Sequence, residues 1–252
     1  VSASLVLGVP IGLVLGDAFG WRAPFVLITV LTLLSTIFVH FFMEKSSPKP
    51  PVPLSELWNG LKSSKFLIAH GATILYMTGH TAMYAYFKPY LEEMTDLSAG
   101  WVNIVYFLFG VAAVFGGGLG GTLADIIGPK KSLVLCTGFF SVILFILPLS
   151  IPLLPLFIFV VMVWAMLSWA ISPAMQSYLI ETDPQVGGIQ QSLSNSSLHL
   201  GVALGSLVGG FVVEEFSINY NPYAGGILIF IGFLAAFLSV RFPYRRFVKK
   251  ER

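Results

Sequence analysis

The sequence predicts an all-α membrane protein, a bundle of helices that each cross a lipid bilayer. Hydrophobic residues make up 56% of the 252 residues and charged residues only 10%, and the mean hydropathy is +0.85. A soluble domain of this size needs far more charge to cover its surface. The apolar runs do not alternate with polar residues as the strands of a membrane barrel do, so helices are favoured.

Seven apolar segments are long enough to cross a bilayer, since a spanning helix needs roughly 20 mostly apolar residues for about 30 Å of hydrocarbon. The segments that meet this measure are 23–43, 66–87, 101–121, 132–149, 153–179, 188–213 and 223–241. Residues 1–16 look like the rest of an eighth span, because Val1 starts an apolar run without an initiator Met. We therefore expect the chain to be the C-terminal piece of a longer polypeptide.

The positions of Lys and Arg predict which helix ends face the cytoplasm. Of the 14 Lys and Arg residues, only Arg22 and Lys88 fall on one side of the predicted topology. The others lie in the connector 44–65, in the loop 122–131 or at the C-terminal end of the chain. Short loops rich in Lys and Arg face the cytoplasm, so we expect the C-terminus to be cytoplasmic. Because the basic residues follow the membrane side, the net charge of +2 does not indicate a nucleic-acid partner.

The connector 44–65 is the longest loop and the one predicted internal boundary. Its Pro-rich stretch 48–53 is stiff and extended. Leu54, Leu57 and Leu61 then recur at helical spacing beside polar residues, which favours a short helix lying in the membrane interface. An amphipathic start to the next span is an equal alternative.

The short loop 122–131 has residues suited to fixing two membrane helices together. Gly121 ends a glycine-rich stretch and lets a neighbouring helix approach closely, since small residues favour helix packing in lipid. Asp125, expected to be buried, can accept hydrogen bonds from a helix N-terminus and complement its dipole.

The second half of this loop predicts a tight turn at the membrane surface. Gly128 and Pro129 force the turn, and Lys130 and Lys131 hold it at the anionic cytoplasmic face. An ordinary positively charged turn, without any gating role, is the alternative.

This loop resembles the short-loop signature of the major facilitator superfamily, approximately Gly-x-Leu-Ala-Asp-basic-x-Gly-x-basic-basic. The matching residues are Gly121, Leu123, Ala124, Asp125, Gly128, Lys130 and Lys131, whereas Ile126 replaces the usual basic residue after the Asp. Further stretches resemble the sugar- and drug-efflux branch of that family, the arabinose-efflux-permease-like proteins. They are Gly8-Val9-Pro10-Ile11-Gly12 with Gly16 and Gly20-Trp21-Arg22, then Tyr84-Ala85-Tyr86 with Pro89-Tyr90-Leu91, then Ser172-Pro173-Ala174-Met175-Gln176, and finally Asn195 with Leu200-Gly201 and Gly209-Gly210.

The resemblance implies a carrier of two six-helix bundles, which this chain matches from the fifth helix to the twelfth. Residues 1–43 would be the last two helices of the N-terminal bundle, 44–65 the cytoplasmic connector, 66–241 the complete C-terminal bundle and 242–252 a basic tail. It also implies a multi-pass protein of a bacterial plasma (inner) membrane that works as a monomer together with the missing N-terminal bundle of the same polypeptide. No cofactor is expected, and the proton gradient is the expected energy source.

The first helix carries a second gating candidate. Gly8, Pro10 and Gly12 resemble the antiporter-associated motif of that family, although the adjacent Gly-Pro pair of its strict form is absent. Small residues at positions 8, 12 and 16 predict a close-packing, bendable face. Core packing without any antiport meaning is the alternative.

Three helices each carry polar and aromatic residues at steps of three or four, which places them on one helix face. The three stripes are Thr73, Tyr76, His80 and Tyr84; Trp164, Ser168, Ser172 and Gln176; and Gln191, Asn195 and His199. Such stripes predict a central cavity for an amphipathic solute. We expect the substrate-binding residues to be Tyr76, His80, Tyr84, Trp164, Gln176, Asn195 and His199. The stripes could instead only join helices together.

Ionisable residues inside the predicted spans are few. Every carboxylate falls at or beyond a span end. His80 and His199 lie near span centres and could couple protonation to binding, since His titrates near neutral pH. A neutral His hydrogen-bonded to a neighbouring helix is the alternative. His40 and His70 are expected to be interfacial.

These features predict a secondary transporter, most simply a proton-coupled exporter of small organic compounds such as drugs or sugars. A sugar importer or symporter of the same fold is the alternative within transport. A membrane-embedded enzyme or a sensor is the alternative from another class. The sequence shows no catalytic set and no metal-ligand spacing among its four His residues, so we expect neither a catalytic site nor a metal site.

Overall fold

The computed structural model describes residues 2–43 and 63–244, and this part of the chain is helical without strands. The helices are α1 (Ser2–Phe19), α2 (Ala23–Phe42), α3 (Ser64–Tyr84), α4 (Phe87–Met94), α5 (Ala99–Ile127), α6 (Pro129–Ser150), α7 (Leu154–Thr182), α8 (Gly187–Glu215) and α9 (Asn221–Arg241). The predicted all-α membrane fold is confirmed. The predicted interfacial helix in the connector and the tail beyond residue 244 lie outside the described residues.

Six segments in the described part are long and apolar enough to cross a membrane: α2, α5, α6, α7, α8 and Ile218–Arg241, which contains α9. The predicted span 66–87 differs from them. Its helix α3 ends at Tyr84, and a second helix, α4, starts at Phe87. Pro89 explains the break, because it has no N–H to bond the carbonyl of Ala85. Many polar side chains of α3, among them His70 and Thr73, are buried against other helices.

The loop predicted at 122–131 is far shorter in the structure. Helix α5 continues to Ile127 and α6 begins at Pro129, so Gly128 alone reverses the chain. Gly128 has a φ of 88°, a left-handed conformation that favours glycine. Pro129 occupies the first turn of α6, where its missing N–H costs nothing.

Helix α3 lies between α8 and α9, α5 packs on α7, α6 contacts both α7 and α9, and α1 packs on α5. Glycines allow the closest of these approaches. A Cβ atom on Gly201, Gly205 or Gly209 of α8 would collide with backbone or side-chain atoms of α3 or of Tyr86, just beyond its end. A Cβ atom on Gly116 or Gly120 of α5 would overlap the backbone of α7. Close glycine packing therefore joins α8 to α3 and α5 to α7.

Three glycines predicted to pack closely, Gly121, Gly8 and Gly12, do not pack closely against the described residues. A Cβ atom on Gly121 would meet no atom within 4 Å among the described residues, because Gly120, one position earlier on the helix, is the residue that faces α7. The same holds for Gly8 and Gly12 of α1, which has open space at these positions in the described structure. Helix α1 also runs unbroken through Pro10. None of the described residues packs against these glycines, so the close-packing face of α1 stays a prediction.

Candidate functional site

A polar cavity of about 380 Å³ lies between α3, α7 and α8. We call it the amide cavity. Its lining consists of Tyr76 from α3; Ser172, Met175 and Gln176 from α7; and Gln191, Ser192, Ser194, Asn195 and Leu198 from α8. Amides and hydroxyls dominate this set, and it contains no charged side chain.

A row of hydrogen bonds crosses the amide cavity from α8 to α7. Gln191 Nε2 donates to Gln176 Oε1 at 3.0 Å, and Gln176 Nε2 donates to Ser172 Oγ at 3.4 Å. An amide carries two donors and two acceptor sites, so this row leaves donors and acceptors free for a solute. Asn195 makes no hydrogen bond with any described side chain or backbone group, and its amide is exposed to the cavity.

A buried group of aromatic rings lies beside the same helices, and we call it the aromatic cluster. It consists of His80, Tyr84, Phe87, Phe109 and Trp164. Trp164 Nε1 donates to His80 Nδ1 at 3.2 Å, and the His80 ring stacks on Tyr84 with centroids 5.4 Å apart. Because Nδ1 accepts this bond, the neutral imidazole carries its proton on Nε2.

The structure divides the seven predicted substrate-binding residues among three locations. Tyr76, Gln176 and Asn195 line the amide cavity. The next three, His80, Tyr84 and Trp164, belong to the aromatic cluster, where Trp164 is completely buried. A bound solute would therefore contact the neighbours of Trp164 and not Trp164 itself.

His199, the seventh predicted substrate-binding residue, is exposed and belongs neither to the lining of the amide cavity nor to the aromatic cluster.

Some residues that line the amide cavity are not among the predicted substrate-binding residues. Gln191 and Ser172 each lie four residues from a predicted residue on the same stripe, so helical spacing was sufficient to find them. Ser194 and Leu198 lie beside the stripe of α8, and no sequence signal separates them from other residues of that helix.

His70 is a further buried polar residue, and its predicted location was wrong. It was expected at the membrane interface, but only 3% of its surface is exposed. Its Nε2 donates to Gln190 Oε1 at 2.8 Å, which joins α3 to α8 next to the cavity residue Gln191. Its Nδ1 is buried and has no partner among the described residues. The cause of the error is a tertiary contact across 120 residues of sequence.

The helix ends predicted to share one membrane side do meet in the structure. Lys130 at the start of α6 pairs with Glu181 at the end of α7, with 3.3 Å between Nζ and Oε1. Lys65 at the start of α3 donates to the backbone carbonyls of Val240, in the last turn of α9, and of Phe242 just after it, at 3.4 and 3.0 Å. These contacts gather four predicted cytoplasmic segments at one end of the bundle.

The opposite end has its own ion pairs. Lys88 lies 3.2 Å from Asp17 and 3.8 Å from Glu92, measured from Nζ to the carboxylate oxygens. The pair with Asp17 joins α4 to α1 at the side that the charge distribution predicts to be external, whereas Glu92 lies on α4 itself.

Two other predicted gating residues, Asp125 and Lys131, are more exposed and make fewer contacts than expected. Asp125 is exposed, and it makes no hydrogen bond or ion pair with the described residues. The expectation of a buried Asp is therefore wrong, because α5 continues past it to Ile127 and leaves it on an exposed part of the helix. Lys131 is also exposed and, unlike Lys130, forms no ion pair with the described residues.

Comparisons with known proteins place this geometry in context. The sequence model of the Major Facilitator Superfamily matches residues 1–191. The "Uncharacterized MFS-type transporter YbcL" of Bacillus subtilis (strain 168) is 27% identical over 237 residues, which cover 94% of this chain and 61% of that protein. The "Probable sugar efflux transporter" of Mannheimia succiniciproducens is 26% identical over 227 residues, or 90% of this chain and 57% of that protein. "Inner membrane transport protein YdhP" of Escherichia coli (strain K12) is 27% identical over 241 residues, or 93% and 60%. The chain thus spans about three fifths of the length of these relatives.

Proposed function

Because the chain belongs to the major facilitator superfamily, we propose that its protein is a secondary transporter that exports small uncharged polar compounds, sugars above all. The chain is an integral, multi-pass membrane protein, and we place it in a bacterial plasma (inner) membrane with its C-terminus in the cytoplasm. Similarity to a protein named as a sugar efflux transporter supports the substrate class. The members that we compared are named as transporters, which supports transport over an enzymatic role.

The lining of the amide cavity is the observation that carries this proposal. A charged solute needs an opposite charge in its site, because a buried unpaired charge is costly. The cavity offers none. Its amides and hydroxyls both donate and accept hydrogen bonds, as the hydroxyls of a sugar do. Tyr76 also contributes to the lining, but only 2% of its surface is exposed, so the amides and hydroxyls offer most of the contacts.

Lipophilic drugs fit this lining less well. Binding an apolar ring system there would leave the amide of Asn195, and the donors and acceptors of Gln176 and Gln191 that their own row of hydrogen bonds does not use, without water or a solute partner. Each unsatisfied buried polar group costs about 1–3 kcal/mol. The polar lining therefore favours a sugar over a drug.

We propose that transport follows alternating access, with the C-terminal bundle rocking against the rest of the protein. The ion pair between Lys130 and Glu181 would stabilise one arrangement of the cytoplasmic end. Gly128, as a single-residue reversal, keeps α5 and α6 in a fixed relation during this movement. In this proposal the protein acts as a monomer and needs no cofactor.

We propose the proton gradient as the energy source. The amide cavity has no acidic residue, so the proton carrier lies elsewhere. Within this chain the candidate is His80, which is buried in the aromatic cluster and hydrogen-bonded at Nδ1. Its other ring nitrogen would take part in any proton exchange.

Proteoliposomes that contain the full-length natural protein test both parts of the proposal. Radiolabelled neutral sugars, a lipophilic drug and a lipophilic cation would be loaded separately, and efflux measured with and without an inward proton gradient. We expect saturable sugar efflux that the gradient accelerates and an uncoupler slows. Transport of the drug or the cation alone would contradict the substrate class. Sugar efflux indifferent to the gradient would contradict proton coupling, and gradient-driven uptake would favour the symporter alternative.

A further inference from the structure

An apolar groove of about 550 Å³ runs along the outer face of the bundle between α6 and α9. Its lining includes Gly138, Phe139, Val142 and Phe145 of α6, and Phe230 and Phe233 of α9. The groove is open: 60% of Phe139 and 50% of Val142 are exposed. Both helices have the length and composition of membrane spans, so this open face meets hydrocarbon in a bilayer.

Glycine and aromatic rings shape the groove. A Cβ atom on Gly138 would lie 3.2 Å from the Phe233 ring, so the glycine leaves room at the floor. On α9 the rings of Phe230, Phe233 and Phe237 follow one another with centroid distances of 6.0 and 6.4 Å. This ladder forms one continuous apolar wall along the helix.

The ladder ends in a cation. The Arg241 guanidinium lies over the Phe237 ring, 4.3 Å from its centroid, about two turns beyond Phe233, the last groove residue of α9. On α6, Lys131 lies one turn before the groove residues Val134 and Leu135, on the same helix face. Since α6 begins and α9 ends at the same end of the bundle, both cations flank one mouth of the groove.

The two cations are available to a ligand. Lys131 and Arg241 are exposed, and neither forms an ion pair with the residues that the structure describes. The adjacent Lys130 differs, because it pairs with Glu181 of α7. Two cations that have no ion pair within residues 2–43 and 63–244, at the polar end of a membrane-facing apolar groove, match the charge of a phosphate headgroup above acyl chains.

We propose that this groove binds an anionic phospholipid, with an acyl chain along the aromatic ladder and its phosphate between Lys131 and Arg241. The lipid belongs to the leaflet at the end where Gly128 and the C-terminus of α9 lie, which the charge distribution predicts to be cytoplasmic. The site is separate from the amide cavity, which lies between other helices. The proposed lipid site therefore does not depend on which solute the protein transports.

Native mass spectrometry of the full-length protein in a mild detergent tests the site. The protein is titrated with phosphatidylglycerol, and in parallel with phosphatidylcholine of the same acyl chains. Each cation at a membrane surface contributes about 1 kcal/mol to binding an anionic lipid, which is about fivefold in affinity. We expect Lys131→Gln and Arg241→Gln each to weaken phosphatidylglycerol retention about fivefold.

Matched controls separate the site from general surface charge. Lys130→Gln removes the neighbouring but paired cation, and Arg22→Gln removes an exposed Arg that also lies over an aromatic ring, at the opposite end. We expect both to retain the lipid as the wild type does. Val142→Trp fills the groove without changing charge, and we expect it to lower phosphatidylglycerol retention.

Several results would overturn the proposal. One is equal retention by the Lys131 and Lys130 variants. Another is unchanged retention in Val142→Trp, which would mean that headgroup charge acts without the groove. A third is self-association that Val142→Trp abolishes while lipid retention stays unchanged, since a second copy would then be the occupant.

Discussion

Two adjacent glycines of α5 offer a sharp test of how the bundle is packed. A Cβ atom on Gly120 would overlap the backbone of Ala170 on α7, whereas a Cβ atom on Gly121 would meet nothing within 4 Å in the described structure. The backbone of α7 cannot move aside as a flexible side chain can. The change Gly120→Ala must therefore push the two helices apart, and Gly121→Ala need not.

The two variants are expected to change the free energy of unfolding in opposite directions. Replacing Gly by Ala inside a helix stabilises it by up to about 1 kcal/mol. Overpacking at a tight contact costs typically about 1–3 kcal/mol. We expect Gly121→Ala to raise the free energy of unfolding slightly and Gly120→Ala to lower it. A difference of about 2 kcal/mol corresponds to roughly 4–8 °C in the midpoint of thermal unfolding for a protein of this size.

Thermal unfolding in detergent, followed by tryptophan fluorescence, measures this difference. Gly121→Ala is the control, because it changes the same residue type on the same helix. Equal unfolding temperatures for the two variants would refute the close approach of α5 and α7.

Two further changes test other parts of the structure. The change Trp164→Phe keeps most of the ring but leaves His80 Nδ1 without its donor, and we expect a loss of about 1 kcal/mol in the free energy of unfolding. Trp169→Phe is the control, since no hydrogen bond of its indole is seen among the described residues; equal losses would remove the role of this bond. A Cys in place of Lys131 should react with a membrane-impermeant thiol reagent only from the cytoplasmic side, and a Cys in place of Glu93 only from outside. Labelling of both from one side would contradict the topology.

Much of the fold could be predicted from the sequence because lipid imposes simple requirements. Helix lengths and positions followed from apolar runs of about 20 residues. The grouping of helix ends followed from Lys and Arg, and the pairs at Lys130 and Lys88 lie at opposite ends as that grouping requires. The break at Ala85 was missed, although Pro89 signals it, because the run of residues stays apolar on average.

The candidate site was predicted only in part, since periodicity assigns residues to a face but not to a neighbour. Tyr76 and His80 lie one turn apart on α3, yet one lines the amide cavity and the other joins the aromatic cluster. Gly120 and Gly121 differ by one position, and only one contacts α7. The pairing of His70 with Gln190 depends on a helix contact that no local pattern encodes.

The amide cavity as the solute site is tested most directly by comparing two asparagines. The change Asn195→Leu removes a cavity amide, and Asn219→Leu makes the same change at an exposed position between α8 and α9. The loss of one hydrogen bond to a neutral group costs about 0.5–1.5 kcal/mol, or roughly two- to tenfold in apparent sugar affinity. Sugar exchange in proteoliposomes should show this loss for Asn195→Leu and wild-type affinity for Asn219→Leu. Equal affinities in the two variants would contradict binding in the amide cavity.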